Sequence, residues 1–474
     1  MFSKFIGWIR SVINKMFNTN IGTKFNVDIA VSNKMSTAIS KWEKMYKDEA
    51  PWIDDKVIST GLPASIAREF ATATLVEFKS EITGSKRADY LNNQYKKLKK
   101  NLRRNLEHGC AIGSMVLKPY VSNGQLNIDI VKGTNFFPVE YNSNGECTSG
   151  IFASRKIIGK YYYTRLEYHN LDLSKKYYTI INKAYMSSSE EILGQEVSLK
   201  TIPDWSNIQE IVNIENIEKP LFGYFRVPFA NTIDPDSSCG VSVYSRAVKL
   251  IEEADKQFSR LLWEFEGSEL AIDADPSVLQ RNEVIRDKYK LPSLKDRLFR
   301  ATGSNKDGKA FYEVFSPEIR ETPLYKGFND ILKRIEFICG LAYGTISDPE
   351  LIEKTATEIM SAKQRSYATV SDIQQALEDA LNDMIYAMDV LATLYNLTPR
   401  GNYEASYEWD DSIIIDSESE QRIRQQEVRE KLRTKISYLM WRYGFTEKQA
   451  QEELERIKAE TEEQEKSLFN QQVE

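Results

Sequence analysis

Apolar residues recur every three or four positions along much of this chain, which is the spacing of amphipathic helices. The clearest runs predict helices over 241–266, 324–341, 355–395 and 417–463, the last with a break at 443–446. Residues 27–110 also have mostly helical periodicity. The first two of the clear helices bracket a compact insert, 271–322, so the pattern predicts a two-helix stalk that carries a small tip.

Between the helical regions the pattern changes to alternation of apolar and polar residues, which predicts antiparallel strands. Asn123-Gly124 and Asn144-Gly145 are dipeptides favoured in hairpin turns, and each lies between two alternating segments. The predicted strands are Met115–Val121, Leu126–Val131, Phe136–Tyr141, Gly150–Arg155, Tyr161–Tyr168 and Lys176–Lys183. A later segment, 403–415, has the pattern of a strand that returns to this sheet. Helices with a separate antiparallel sheet predict an α+β fold.

The composition restricts the chemistry that the chain can perform. It contains 2 histidines, His108 and His169, and 4 cysteines without a CxxC pair, so we expect no His-rich metal site, zinc site or disulfide framework. The net charge of -6 excludes a uniformly basic nucleic-acid coat but permits local basic patches. No segment approaches the ~18 consecutive apolar residues of a membrane-spanning helix, and we expect a soluble cytoplasmic protein.

The N-terminal segment, residues 1–17, has the pattern of a basic amphipathic helix. Its apolar face consists of Phe5, Trp8, Ile9, Val12, Ile13 and Met16. Lys4, Arg10 and Lys15 interrupt the apolar run, so the segment lacks the unbroken apolar centre of a signal peptide. Two interpretations stay open: docking on the protein or on a neighbouring subunit, which is the commoner role, and binding to a membrane surface.

One nucleotide-binding motif is nearly complete. Residues 303–309 fit GxxxxGK, but Ala310 occupies the position where Mg²⁺ binding requires a Ser or Thr hydroxyl. Such a loop must lead into a helix, whereas Phe311–Phe315 has the pattern of a strand. Asp307-Gly308 is better explained as a hairpin turn, and we expect no nucleotide to bind here.

Two pairs of carboxylates, Asp273/Asp275 and Asp410/Asp411, are the only other candidates for catalysis. Two-metal nucleases use such groups, but each pair lies beside a predicted strand end, where turn or cap roles are commoner. The sequence therefore predicts no enzyme, no cofactor and no bound metal.

Two stretches are locally basic. Residues 86–104 carry eight Lys or Arg against one acid, Asp89, on the polar face of a predicted helix. Residues 281–309, within the predicted tip, carry nine Lys or Arg against four acids. Each patch fits an acidic partner or the phosphates of a nucleic acid, or is only a solvated charged surface.

The order and content of these segments resemble those of a tailed-phage portal protein, the head-to-tail connector, of the group found in phages of Gram-positive hosts. The resemblance covers most of the chain, and four passages carry it. They are GCAIGSMVLKPYV with the NG hairpin after it; PLFGYFRVPFANTI followed by GVSVYSRAVKLIEEADKQFSRLLWEFE; RIEFICGLAYGTISD followed by KTATEIMSAKQRSYATVSDIQQALEDAL; and YEWDDSIIIDSE before a helical C-terminus. None of them is a catalytic signature.

The resemblance implies a portal fold with an α/β wing, a helical stem, a small α/β clip and a helical crown, assembled as a ring. The implied parts are the wing (1–240, with the long helix and returning strand of 356–415), the stem helices (241–270 and 323–342), the clip (271–322), the tunnel loop (343–355) and the crown (416–474). The exposed apolar surface of an isolated two-helix stalk agrees with a ring partner.

The resemblance further implies a virion protein, assembled in the host cytoplasm as a homo-oligomeric ring, usually of twelve subunits, at one capsid vertex. Such a ring is the channel for packaging and ejection of double-stranded DNA. Its implied partners are the terminase large subunit, capsid and scaffolding proteins, and a head-completion or tail adaptor protein, with no membrane. An acidic chain suits such a conduit, because a strongly cationic wall would retain the phosphates.

Within this framework, candidate DNA-facing cations are Lys333 and Arg334 on the second stem helix and Lys354 beside the tunnel loop. Ion pairing between subunits is an equal alternative for Lys333 and Arg334. The tunnel loop is expected to include Gly344, Thr345, Ile346, Ser347, Asp348 and Pro349. Candidate terminase or adaptor contacts on the clip are Arg286, Lys288, Lys290, Arg297 and Arg300.

Two other classes of function stay open at this stage. The N-terminal helix and the acidic C-terminus motivate a structural scaffold or a membrane-associated assembly protein. The carboxylate pairs motivate a metal-dependent nucleic-acid enzyme.

Overall fold

The computed structural model describes residues 21–76, 78–268, 317–348, 356–409 and 417–457, and five short strands between 271 and 315. By compactness the chain divides into two units, Met1–Glu408 and Trp409–Glu474. None of the described helices is long and apolar enough to cross a membrane.

The N-terminal part is mainly helical, as its periodicity predicts. It consists of α1 (Asn33–Tyr46), α2 (Leu62–Leu75), β1 (Lys79–Thr83) and α3 (Lys86–Ile112). The predicted apolar stripe of α3 is buried at Leu91, Tyr95, Leu98 and Leu102. The pattern does not predict β1, because its sequence, KSEIT, has one large apolar side chain, that of Ile82. It forms by antiparallel pairing with the distant strand β16 (Glu404–Glu408).

All six predicted strands of the central region are present, as β2 (Ser114–Ser122), β3 (Gln125–Lys132), β4 (Phe136–Tyr141), β5 (Cys147–Ile158), β6 (Tyr161–Asp172) and β7 (Tyr177–Ser187). Three short strands that the pattern does not predict join them in two antiparallel sheets: β8 (Gln195–Val197), β9 (Ile211–Glu215) and β10 (Gly223–Arg226). The larger sheet has the order β4-β5-β6-β7-β8, and β9 also pairs with β7. The smaller sheet has the order β10-β2-β3.

The two Asn-Gly dipeptides form different turns. Asn123 and Gly124 both have positive φ, 52° and 70°, and make the predicted two-residue turn between β2 and β3. Asn144 lies instead in the longer loop 142–146, because the Asn142 side chain accepts hydrogen bonds from the amides of Asn144 and Glu146 at 3.0 and 2.9 Å. The strand after this loop consequently begins at residue 147 and not at 150.

Both faces of the larger sheet are covered. Side chains alternate between the faces of a strand, so Leu166 and Leu171 of β6 point to opposite sides. Leu166 packs in a cluster with Ile21 and Tyr185. Leu171 packs with Leu221 and with Ala387 of a long helix, α6 (Ala356–Leu394).

The predicted stalk consists of α4 (Val248–Gly267) and α5 (Glu321–Cys339). The predicted start of the first helix, at 241, is wrong because the Val243 amide donates a hydrogen bond to the Cys110 carbonyl at 3.0 Å, which ties 241–247 to α3 in turns. The prediction that 403–415 contains a strand is confirmed, but its assignment to the earlier sheet is wrong. That strand, β16, pairs with β1 in a separate two-stranded sheet.

In its described residues, the insert between the stalk helices contains five strands. They are β11 (Ala271–Ala274), β12 (Gln280–Arg281), β13 (Tyr289–Lys290), β14 (Phe299–Ala301) and β15 (Tyr312–Phe315). β11 is central, parallel to β14 and antiparallel to β15. The strand predicted over 311–315 is thus confirmed. The turn or cap role expected for Asp273 is wrong, because Asp273 lies inside β11, in register with Arg300. The GxxxxGK-like stretch, Ala310, Asp275 and Asp410/Asp411 lie outside the described residues.

The second unit consists, in its described part, of α7 (Ser417–Arg429), α8 (Lys435–Tyr443) and α9 over 447–457. The predicted break at 443–446 is confirmed. At the start of α9 the Gln449 side chain accepts from the Thr446 amide at 2.9 Å and the Thr446 hydroxyl accepts from the Gln449 amide at 3.4 Å, so a capping box is present. A second break, at 430–434, is not predicted by the pattern.

Candidate functional site

The two stalk helices are joined where the insert leaves and returns. Arg320, immediately before α5, donates to the Glu264 carboxylate of α4 from its backbone amide, Nε and Nη2 at 3.2, 3.0 and 2.8 Å. Hydrogen bonding by Arg320 lowers the pKa of Glu264. Phe258 and Phe328 pack across the pair with ring centroids 5.6 Å apart. The bidentate ion pair therefore fixes the end of the stalk that carries the insert.

The opposite part of α4 is held by the loop between α1 and α2. The buried Asp255 carboxylate accepts from Trp52 Nε1 at 2.8 Å, and from the Thr60 amide and hydroxyl at 2.8 and 2.6 Å. Within the described residues Asp255 forms no ion pair. Three donors therefore replace the water that this carboxylate loses on burial, and they tie the stalk to the N-terminal helices.

A second buried carboxylate organises the segment after α5. Glu336 Oε1 accepts from the Ile346 and Ser347 amides at 2.7 and 2.9 Å. Its Oε2 accepts from the Ser347 hydroxyl at 2.8 Å and from the Gly344 amide at 3.3 Å. Because these donors converge on one carboxylate, residues 344–347 adopt a fixed turn against α5.

The segment continues back along the same helix. The Asp348 amide donates to Asn329 Oδ1 at 2.8 Å, and the Tyr325 hydroxyl donates to Asp348 Oδ2 at 3.3 Å. Tyr325, Asn329 and Glu336 are spaced by four and seven residues and so lie on one helical face. Gly340, with φ of +82°, allows the chain to reverse, and a Cβ there would lie 2.6 Å from the Thr369 hydroxyl of α6.

Two arginines share one aromatic ring at this turn. The guanidinium carbon of Arg334 is 5.2 Å from the centroid of the exposed Phe337 ring, and that of Arg365, on α6, is 4.6 Å away. Arg365 also lies 5.7 Å from the Tyr343 ring centroid. Cation–π contacts of this kind fix the directions of the guanidinium groups and leave their charges available to an anion.

The predicted DNA-facing and loop residues are distributed as follows. Lys333 lies 3.3 Å from Asp330 of its own helix and is mostly buried, whereas Arg334 is exposed. Gly344, Ile346, Ser347 and Asp348 are held by α5, and the Thr345 hydroxyl donates to the Ala342 carbonyl at 2.6 Å. Lys354 and Pro349 lie outside the described residues. The structure thus brings Arg334, Phe337 and the loop together, whereas Lys333 pairs with Asp330.

The predicted clip contacts are only partly described. Lys290 lies on β13 and Arg300 on β14, in strands whose side chains are not described. Arg286, Lys288 and Arg297 lie outside the described residues. Those five predictions therefore stay predictions.

The end of the stalk next to the insert exposes large apolar side chains. Trp263 is 64% exposed and Phe265 43% exposed on α4, and Ile319 and Tyr325 are exposed on the returning chain. Single exposed residues of this kind are ordinary, but several at one end of a stalk make that end a candidate for contact with another subunit.

The basic helix α3 is not uniformly solvated. Arg87 is buried, and its Nε donates to Asp389 of α6 at 2.7 Å, while another nitrogen donates to the Thr398 carbonyl at 2.9 Å. Lys97, Lys100, Arg103 and Arg104 are exposed. Lys99 also has a structural role, because its Nζ donates to the Ser80 carbonyl. At least two of the eight cations are therefore structural, and the exposed ones keep both interpretations.

Neither histidine lies on an accessible surface. Burial lowers the pKa of His108 to about 4, and burial likewise lowers the pKa of His169, which lies 2.9 Å from Glu167 and 2.9 Å from the Tyr178 hydroxyl. The four cysteines are free and buried. In the part of the chain that the structure describes, no group of three or more His, Cys, Asp or Glu could hold a metal ion.

Sequence reasoning missed Asn329, Glu336, Phe337 and Arg365. The available signal was two polar residues, Asn329 and Glu336, which lie seven residues apart beside the apolar stripe of α5 and are both buried. Their partners, 344–348, could not be inferred from that spacing alone.

A family model described as "Phage portal protein, SPP1 Gp6-like" matches residues 33–467, from α1 through α9. No curated protein matches the chain.

Proposed function

This chain belongs to the SPP1 Gp6-like family of phage portal proteins, and we propose how its parts brace, assemble and line that portal. Its function is that of the family: a structural protein of the virion that forms the DNA-packaging channel at a capsid vertex. The match over residues 33–467 carries this conclusion. Neither a scaffold or membrane-associated protein nor a nucleic-acid enzyme is favoured.

For the parts of the subunit we retain the assignment that the resemblance implies. The wing is 1–240 with 356–415, the stem helices are within 241–270 and 323–342, the clip is 271–322, the tunnel loop is 343–355 and the crown is 416–474. Support comes from the α4–α5 pair, the strand-rich insert between its helices, and the helical region 417–457.

The stem is the main contact between subunits in a ring of twelve. In this proposal Trp263 and Phe265, which lie on different sides of α4, pack on the stems of the two neighbouring subunits. Their exposure of 64% and 43% supports it, because burial of such side chains gains roughly 1.5–3 kcal/mol each. A ring contact is head-to-tail, so the covering surface is a different one on the neighbour.

Arg334 is the cation of the stem that meets DNA or an acid of the next subunit, and Lys333 braces its own helix. The pairing of Lys333 with Asp330 at 3.3 Å and the exposure of Arg334 support this division. Lys354 stays a DNA-facing candidate beside the tunnel loop. Glu336 and Asn329 hold the root of that loop, Gly344 to Asp348, against α5.

The clip is the docking site for the terminase large subunit and later for a head-completion or tail adaptor protein. Its excess of Lys and Arg over 281–309 supports acidic partner surfaces, with Arg286, Lys288, Lys290, Arg297 and Arg300 as the contacts. Capsid and scaffolding proteins contact the outer parts of the ring.

Ring assembly is tested by negative-stain microscopy and mass measurement of the purified protein. Twelve copies of the 54.6 kDa chain weigh about 655 kDa and should appear as closed rings with a central hole. Trp263→Asp should shift the protein to small species, since a charge would have to be buried at the contact. Ile157→Asp, at a side chain 67% exposed on β5, is the matched control and should leave the rings intact. A chain that stays monomeric at high concentration would contradict the ring, and rings of Trp263→Asp would contradict the stem contact.

A further inference from the structure

A cavity of about 850 Å³ lies between the loop 142–146, the segment 218–229 and helix α6. Its lining combines apolar and acidic side chains. The apolar part includes Leu171, Leu173, Phe222 and Phe229, and the carboxylates are Glu146, Glu218, Asp372, Asp379 and Asp383. We call this cavity the acidic groove.

The charges in the acidic groove are not balanced by its own cations. Of the two cations in the lining, Lys219 lies 2.8 Å from Asp383, and Arg226 donates to the Ser238 carbonyl at 2.8 Å. Among the described residues neither Asp372 nor Asp379 forms an ion pair. Burial, followed by repulsion from Asp383, raises the pKa of Asp379. The groove therefore favours an occupant with positive charges and an apolar surface.

The N-terminal segment of the same chain has those properties. Residues 1–17 contain three cations, Lys4, Arg10 and Lys15, and no Asp or Glu. Their predicted helix has an apolar face that includes Trp8. Such a helix would be about 25 Å long, and a groove in the ~300–1,000 Å³ range of binding clefts can take the side chains of one face. This is the helix-in-groove mode of recognition.

The position of residue 21 indicates which subunit supplies the segment. Ile21 packs with Leu166 and Tyr185 on one face of the larger sheet. The acidic groove contains Leu171, on the opposite face of the same sheet. A segment that leaves from Ile21 would have to pass around the sheet to reach its own groove. In a head-to-tail ring, unlike faces of adjacent subunits meet, so a neighbour's groove is the more direct site.

We propose that residues 1–17 of one subunit dock as an amphipathic helix in the acidic groove of the neighbouring subunit. Trp8 and its apolar neighbours contact Leu173 and Phe229, and the basic residues lie near Asp372 and Asp379. The proposal rests on the ring assembly of the proposed function and adds to it a second, electrostatic link between adjacent subunits.

Disulfide trapping in full-length rings tests the docking. A Trp8→Cys chain and a Leu173→Cys chain, assembled together and oxidised, should give a disulfide-linked dimer at twice the 54.6 kDa chain mass. Leu394→Cys is the matched control in place of Leu173→Cys, because Leu394 is 47% exposed, Leu173 is 48% exposed and Leu394 lies outside the groove. Each single variant alone reports any reaction with the native cysteines.

A charge exchange tests the electrostatic part. Asp372→Lys with Asp379→Lys should reduce the trapped dimer about tenfold, and Lys4→Glu with Arg10→Glu on the other chain should restore it. Asp129→Lys with Glu215→Lys, at exposed positions outside the groove, makes the same change in net charge and should leave trapping unchanged.

Three results would overturn the proposal. The first is equal trapping at Leu394→Cys. The second is a cross-link that forms only within one chain when both cysteines are on it. The third is absence of trapping together with flotation on phosphatidylglycerol vesicles that depends on Lys4, Arg10 and Lys15, which would assign the segment to a membrane surface. Closed rings without the cross-link contradict the docking alone, whereas the absence of rings contradicts the assembly on which it rests.

Discussion

The two ends of the stalk satisfy their polar groups in different ways. At the end next to the proposed wing, called the wing end below, Asp255 and Glu336 are buried carboxylates, and donors within the same chain occupy both of them. At the end next to the proposed clip, called the clip end below, the buried Glu264 carboxylate is held by Arg320, whose side chain is 71% exposed, beside the exposed Trp263. One end is completed by the subunit itself. The other presents an ion pair and apolar surface that a neighbouring subunit can cover.

This difference explains how one helix pair can serve as both anchor and interface. A buried carboxylate without a cation is tolerated only where several hydrogen bonds replace its hydration, which fixes the groups around it. An ion pair with a largely exposed partner, such as Arg320, is screened by water and contributes less stability than hydrogen bonds to a fully enclosed carboxylate. We therefore expect mutations at the wing end to alter the folded subunit, and mutations at the clip end to alter assembly.

The largest effect on the isolated subunit should come from Glu336→Ala. The change leaves the Ile346 and Ser347 amides and the Ser347 hydroxyl without their acceptor, and the Gly344 amide keeps only the Ser347 hydroxyl. We expect the free energy of unfolding to fall by about 3 kcal/mol. Chemical denaturation measures the loss, and hydrogen exchange should become faster at the Ile346 and Ser347 amides. Glu266→Ala, at an exposed position of α4, is the control. Unchanged exchange at these amides would show that Glu336 does not order the wing end of the stalk.

Asp255→Ala should have the next largest effect. The Trp52 indole N–H and the Thr60 amide and hydroxyl lose their acceptor, and we expect the free energy of unfolding to fall by about 2 kcal/mol. Faster hydrogen exchange at Thr60, with unchanged exchange at Ile346, would show that the two carboxylates anchor separate segments. A loss no larger than that of Glu266→Ala would argue against an anchoring role.

The smallest effect should be the contribution of the Glu264–Arg320 pair to the pH dependence of folding stability. The folded-state pKa of Glu264 lies below its ordinary value of 4.5, so the Arg320 pair stabilises the fold above that value and is lost as the pH falls below it. Replacement by Gln removes this dependence, and the denaturation midpoint of Glu264→Gln should change less than that of the unmodified chain between pH 6 and pH 3. Parallel midpoint curves for the two proteins would show that the pair contributes nothing measurable.

Much of the fold could be predicted because it depends on local patterns. The two positive-φ residues of Asn123-Gly124 and the 3.6-residue period of α6 require no knowledge of distant parts of the chain. The start of α4 could not be predicted, because the Val243 amide is bound by Cys110 of α3. The strand β1 could not be predicted either, since its pairing partner lies near residue 406.

The candidate site likewise combines features that local sequence predicts with features that depend on distant residues. Lys333 and Arg334 can be placed on one helix from its period, and so can their i,i+3 contacts with Asp330 and Phe337. The second arginine on the Phe337 ring, Arg365, could not be predicted, because it comes from α6. The acidic groove has no signal in the sequence, because its carboxylates come from the loop 142–146, the segment 218–229 and helix α6. The basic N-terminal segment that we propose as its occupant is, in contrast, visible in the sequence.

The amino-acid sequence is sufficient to predict the α+β organisation, the two-helix stalk with its insert and the order of segments that resembles a portal protein. These features follow from periodicity, turn residues and local charge, each of which acts over a few neighbouring positions. The folded structure was needed to show that Glu336 orders residues 344–347, that Arg87 is buried against Asp389 and that β16 pairs with β1. A buried charge or an unpaired strand requires partners from elsewhere in the chain, and their identity is set by packing in three dimensions.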